Sequence, residues 1–382
     1  MKRVLALAMI CFLTGSLNVQ AASDEPQQAS KPPPPSFPPP QLALRIPFEP
    51  TAFPSAGRTY LAYELYLTNF SGQALTIGRI EVLNADGSAE KPIATFTSEQ
   101  LTTMLKTFAP RAPSAAPNVT EVAGGTTVVA FMWVPFEAGT AVPARLRHRV
   151  LVSDSPVEGA TIGTHHTKLR VLGAPLEGTD WAALDGPSNA PDNHHRRGFV
   201  VLDAAPVISR RYAIDWQQTK AGAAFSGDAR EVSAYYAYGK PVLAVASGTV
   251  IAARNDLPDN RPGHGRDFHL AVPETYDTLG GNTVTLDIGD GQYAYYFHMQ
   301  PGSVRVKTGD RIRRGQVLGQ VGCSGDAREP HLHFEITTSP RQLVGEGVPY
   351  VIESYRAKVG DGPWQAHTRE LPLRDRVVDF SR

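Results

Sequence analysis

The run His331-Leu332-His333-Phe334-Glu335-Ile336 alternates polar and apolar residues without a break, the pattern of one β-strand with a buried face. Leu332, Phe334 and Ile336 take the core side, so both imidazoles share the other. Side chains two residues apart along a strand stand roughly 6.5 Å apart. That spacing lets one histidine hold a metal while its neighbour addresses a water beside it. A pair of structurally satisfied histidines is the plain alternative, and the surrounding segments bear on the choice.

Upstream, Asn282-Thr283-Val284-Thr285-Leu286-Asp287-Ile288 and Tyr293-Ala294-Tyr295-Tyr296-Phe297-His298 flank a Gly289-Asp290-Gly291 turn. They read as a β-hairpin that puts His298 at a strand end. Short apolar strands between turn glycines recur over residues 239–250 and 306–319. In this order the segments resemble the lysostaphin-type (β-lytic) zinc metallopeptidases, a family of bacterial cell-wall endopeptidases. The resemblance runs over about residues 237–336, and its most specific parts are the HLHFE strand and the Val306-Lys307-Thr308-Gly309-Asp310 hairpin.

The resemblance implies a mostly antiparallel β-sheet peptidase domain with glycine-rich hairpins and one zinc ion in a groove. It also implies cleavage of peptide bonds in peptidoglycan cross-links or glycine-rich proteins. On this chain it implies His333 and Asp215 as metal ligands, with His331 and His298 as the pair that activates water and stabilises the oxyanion. The family's first ligand is a histidine four residues before that aspartate, and here the position is Arg211. A guanidinium stays protonated and has no lone pair to give. A third ligand must come from elsewhere, or no zinc is bound.

His194 and His195 are the first candidates. They precede Gly198-Phe199-Val200-Val201-Leu202, which can fold back through Asp203-Ala204-Ala205-Pro206 onto residues 207–215. A turn between Ala204 and Ala205 would set His194 opposite Asp215. The other reading of His-His-Arg-Arg is a solvated basic entry to a strand. His264 and His269, in a Pro/Gly/Asp-rich insertion, are weaker candidates, and Cys323 is expected to be a small turn residue.

Lys2 and Arg3, an apolar stretch over residues 4–13 and the small-residue end at Ala21 form the tripartite pattern of a signal peptide, 1–21. Export follows, to the periplasm or beyond the cell. The proline runs at 32–35 and 38–40 make residues 22–45 a stiff tether. No later segment has the roughly 20 apolar residues of a membrane span. Lys and Arg number 37, as do Asp and Glu, and with no basic stripe nothing points to nucleic acid.

Residues 46–172 alternate like strands between turn clusters, with Leu61, Tyr63, Leu65 and Leu67 on one face, and are expected to form a β-sandwich. A helix over Leu101, Met104, Leu105 and Phe108, behind a Thr97–Gln100 capping box, should cover its edge. His148 falls on the apolar side of its strand and reads as a satisfied core histidine. Glycine/proline turns near 173 and 186 separate this domain from a peptidase domain at 173–382, its core at about 198–337.

Three functions fit. The first is a zinc metalloendopeptidase acting on peptidoglycan peptide. The second is a degenerate, zinc-free relative that binds cell wall or activates another cell-wall enzyme, kept open by Arg211. A biotinyl- or lipoyl-type carrier shares the hairpins, but these lack the centred lysine it needs.

Overall fold

The computed structural model describes residues 37–87, 91–108, 120–265 and 268–381. The expected signal peptide and most of the tether lie outside the described residues. Pro38–Arg382 forms one compact unit whose regular elements are nearly all β-strands.

Strand Arg58–Asn69 organises the amino-terminal half. It pairs antiparallel with Thr127–Phe136 from Thr59↔Phe136 to Thr68↔Thr127. Its inward residues Leu61, Tyr63, Leu65 and Leu67 pack against Ile80, Val82, Leu146 and Val150 of a second sheet, making the expected two-sheet core. Burying each large apolar side chain here contributes about 1.5–3 kcal/mol. His148 sits in this core, bonded through Nε2 to the Tyr63 hydroxyl at 2.8 Å and through Nδ1 to the Ala160 carbonyl at 2.9 Å. Burial pushes its pKa down to about 4.

The helix is shorter than its periodicity suggests, spanning Ser98–Met104. The Thr97 amide donates to Gln100 Oε1 at 2.9 Å, as the capping box requires, and Leu101 and Met104 enter the core. Leu105–Thr107 then straightens to pair with Thr127–Phe136, so Phe108 lies beyond the helix and half exposed.

The outward face of Arg58–Asn69 is not left to solvent. Tyr60 and Ala62 join Tyr212, Ile214 and Trp216 in a second core, and Glu64 beside them is only 2% exposed. Strand Arg170–Leu172 pairs parallel with Tyr350–Val359 in the carboxy-terminal sheet. The expected boundary at 172/173 therefore falls inside shared packing.

That carboxy-terminal sheet has eleven strands among the described residues. At its centre Trp181–Leu184, Ile214–Gln218, Leu332–Thr337, Tyr293–Met299 and Asn282–Asp287 lie side by side in that order. The register puts Asp215 opposite His333, and His333 opposite Phe297. As the alternation predicts, Leu332, Phe334 and Ile336 go into the core.

Candidate metal centre

Four strands and turns bring five polar side chains to one cleft of about 550 Å³, whose walls include His195, Asp215, Asp326, His331 and His333. The HLHFE strand delivers His331 and His333 to the same side, and the neighbouring strand delivers Asp215. His333 Nδ1 is 2.8 Å from Asp215 Oδ1, and His331 Nε2 is 3.6 Å from the same oxygen. His298 stands at the end of its strand with φ +64°, a left-handed backbone that non-glycine residues rarely adopt. Its ring lies 4.8 Å from that of His331.

The backbone beneath His298 is held by two glycines. Gly281 and Gly325 are both left-handed, and a Cβ on Gly325 would fall 2.4 Å from Gly281 N and Leu279 O. This close approach leaves the Ser324 carbonyl to accept from His298 Nδ1 at 2.9 Å. His298 Nε2 then faces Asp326 Oδ1 at 3.4 Å.

His195 reaches the cleft by a route other than the hairpin read from the sequence. That hairpin forms, but its register is Val200↔Val207 and Leu202↔Ala205. The turn is at Asp203-Ala204, both with positive φ, and the pairing stops short of the histidines. Asp215 instead lies opposite Leu184 and His333. The histidines occupy a four-residue helical turn, His194–Arg197, whose N-cap Asn193 accepts from the Arg196 amide at 2.8 Å. Nor is His-His-Arg-Arg a solvated entry, because His195, Arg196 and Arg197 are all buried. His194 is exposed and pairs with Asp185 Oδ2 at 3.2 Å.

His195 points inward, with Nε2 3.4 Å from Asp215 Oδ2. His194, His195 and Asp215 offer ligand atoms within 4.8 Å of one another. Arg211 takes no part in this cluster. Its guanidinium bonds Glu64 Oε2 at 2.6 Å, Glu346 Oε2 at 2.7 Å and the Gly347 carbonyl at 2.9 Å. Two carboxylates thus compensate the charge that would oppose a cation.

The donor set fits zinc. His195 Nδ1 lies 3.0 Å from the Asp185 carbonyl and His331 Nδ1 lies 2.7 Å from the Glu329 carbonyl. A carbonyl can only accept, so each Nδ1 carries a proton, and in its neutral form each ring turns a bare Nε2 toward Asp215. Lone pairs facing a carboxylate repel, and a cation among them relieves this. Zinc takes imidazole nitrogen and carboxylate oxygen in such sets, and the carbonyl partners are the outer contacts that orient ligand histidines.

Burial and close charges shift the groups of the cleft in opposite directions. Burial holds His195 down to about 3, so it is neutral near pH 7. Burial and the neighbouring His331 and His333 hold His298 well below its ordinary value. Burial opposes a charge on His333, yet its hydrogen bond to Asp215 and the Glu335 carboxylate close by raise it to about 9. Asp215 sits well below the usual carboxylate range; burial works against this, and His195, His331 and His333 outweigh it.

The remaining candidates lie at the edge or outside. His264 is exposed on the rim, 2.7 Å from Glu329. The Cys323 thiol is buried and directed at the Ala327 carbonyl, with its pKa raised by burial. Sequence reading missed Glu335, buried 3.5 Å behind His333 Nε2, although its place in HLHFE puts it on the histidine face. It also missed Asp326, for which no sequence signal exists.

Residues 231–344 match the model of peptidase family M23. Over 102 residues the chain is 32% identical to the cell division protein DipM of Caulobacter vibrioides, covering 27% of this chain and 13% of that one. Over 61 residues it is 39% identical to the glycyl-glycine endopeptidase ALE-1 of Staphylococcus capitis, 16% of each chain. It is 36% identical over 61 residues to the peptidoglycan DD-endopeptidase ShyC of Vibrio cholerae, 16% of this chain and 14% of that one. The chain spans less than a fifth of the length of each of these three relatives. His195, Arg211 and Asp215 precede the matched segment, while His298, His331 and His333 lie within it. Residues 231–344 thus form a peptidase M23 domain of the lysostaphin type.

Proposed function

We propose that this protein is an exported zinc metalloendopeptidase that hydrolyses peptide bonds in peptidoglycan cross-links. The observation that carries the reading is the meeting of His195 Nε2, Asp215 and His333 Nδ1 at one point of the cleft, with two more imidazoles beside it. His195, Asp215 and His333 would hold the ion. When bound, zinc supplies Lewis acidity and a nucleophile at neutral pH.

The chain's own groups do the rest. His331 is locked by the Glu329 carbonyl with Nε2 free to take a proton from the attacking water and pass it to the leaving amine. His298, locked by Ser324, offers its Nε2 side to the oxyanion. A proton held between that nitrogen and Asp326 Oδ1, 3.4 Å away, would meet the oxyanion. The cell-wall activities named for ALE-1 and ShyC support a peptidoglycan substrate. The amino-terminal signal pattern supports a periplasmic or secreted location.

The zinc-free binding or enzyme-activating alternative rested on Arg211. The ion pairs of Arg211 with Glu64 and Glu346 and the inward turn of His195 both favour the enzyme. Metal analysis of the purified mature protein, together with release of peptides from purified peptidoglycan, tests the proposal. Near-stoichiometric zinc and chelator-sensitive cleavage are expected. A protein that binds no zinc and cuts no wall would leave the binding module as the function.

A further inference from the structure

The geometry points to Glu64, on the amino-terminal sheet, as a positioning residue for the metal centre, acting on His195 through Arg196 and on the Asp215 strand through Arg211. This rests on the zinc reading above. It gives the amino-terminal half a part in the site, although none of its described residues lines the cleft.

The contacts form a closed network. Glu64 Oε1 accepts from Arg196 Nη1 and from Arg211 Nε, the latter at 3.1 Å, and Oε2 accepts from Arg211 Nη2 at 2.6 Å. Arg196 Nη2 also donates to the carbonyls of Tyr63 at 3.0 Å and Met132 at 3.2 Å, in two paired strands of that sheet. Arg211 continues to Glu346 and Gly347. Two carboxylates and two guanidiniums balance, and Glu64, Arg196 and Arg211 are each no more than 3% exposed.

Such a cluster is a poor source of stability, because taking four charges out of water costs about as much as their attraction returns. What it supplies is geometry. The guanidinium fork meets a carboxylate in few orientations, and Arg196 is bonded in the chain to His195. The turn that carries both is only four residues long, and Arg197 on its other side bonds the Met104, Thr103 and Asn189 carbonyls. A shift of about 1 Å in that turn is enough to spoil a ligand position. Arg211 likewise fixes the 3-10 turn Ser209–Tyr212, two residues before the Asp215 strand begins. The residue that replaces the family's first ligand thus braces the element from which that ligand is missing, while its partner Glu64 braces the turn that supplies the substitute.

The test compares three variants of the full mature chain. Zinc affinity is read by competition with a chromophoric chelator, and ligand geometry by the visible spectrum of the cobalt(II)-substituted protein, both well below each variant's unfolding temperature. Glu64→Gln is expected to weaken zinc binding roughly 10- to 100-fold, the range for outer contacts of metal ligands, and to alter the cobalt spectrum. Arg196→Lys keeps the charge but loses the fork. It should do the same, and it decides the matter if Glu64→Gln does not fold. Leu65→Ala, on the opposite face of the same strand, should lower stability and leave both readouts at wild-type values. Wild-type affinity and spectrum in Glu64→Gln or Arg196→Lys would overturn the inference, as would an equal loss in Leu65→Ala. Absence of zinc from the wild-type protein would instead bring down the metal reading itself, and this inference with it.

Discussion

The rings of His195 and His333 meet edge to face, centroids 4.8 Å apart at 87°. One stands on a helical turn and the other on a central strand, and Asp215 lies between their inward nitrogens. The contact joins segments 138 residues apart in the chain, and no periodicity in the sequence announces it.

Metal content should separate the two adjacent histidines. His195→Ala and His333→Ala are expected to lose zinc on dialysis, measured by metal analysis. His194→Ala should keep it, because that ring is exposed and engaged by Asp185. Chelation of the wild-type metal should also lower the unfolding temperature, since a ligand that binds only the folded state stabilises it. Zinc retained by His195→Ala would remove it from the ligand set.

His298 should matter for turnover and not for metal. His298→Ala is expected to keep its zinc while cleavage of peptidoglycan falls about 10²-fold or more. Parallel assays of metal and of peptide release check this. Loss of both together would make it a ligand.

Gly325→Ala should disturb the same histidine from below. The substitution puts a Cβ into a left-handed residue and within 2.4 Å of neighbouring backbone. A cost of more than about 1 kcal/mol is expected, with activity falling as the Ser324 carbonyl shifts away from His298 Nδ1. Denaturant unfolding gives the stability, and a variant as stable and active as wild type would show that the loops have room.

His148 predicts an acid-sensitive amino-terminal core. Its folded pKa of about 4 lies below the ordinary 6.5, so between those values the unfolded chain binds more protons. Stability from this group is full above about pH 6.5 and is lost as pH falls toward 4, by roughly 3 kcal/mol in all. His148→Gln keeps a partner for Tyr63 but does not titrate, so its unfolding free energy should change less than that of wild type between pH 7 and pH 4.5. Equal pH slopes in the two proteins would count against the assignment.

Local pattern in the sequence determined much of this protein. Alternation in HLHFE established a strand with both histidines on one face, and the turn glycines at 289 and 291 established the hairpin that ends in His298. Leu61 through Leu67 announced a two-sheet core. These were legible because side-chain direction in a strand is set by position alone, with period two. Helix length and hairpin register were less secure. Phe108 kept the helical spacing, yet pairing with Thr127–Phe136 drew Leu105–Thr107 into a strand, and the positive φ values at Asp203 and Ala204 placed a turn where the sequence has no glycine.

Tertiary structure alone decided what Arg211 and His195 do. Arg211 read as a defect in a metal site because sequence shows which residue stands four before Asp215, not which carboxylates surround it. Glu64 lies 147 residues away and Glu346 lies 135, and only tertiary packing puts them at its guanidinium. His195 faces Asp215 while Arg196, its neighbour in the chain, runs the other way into Glu64. A buried charge must find its partner wherever the fold supplies one, and that requirement acts through space, where local sequence carries no record of it.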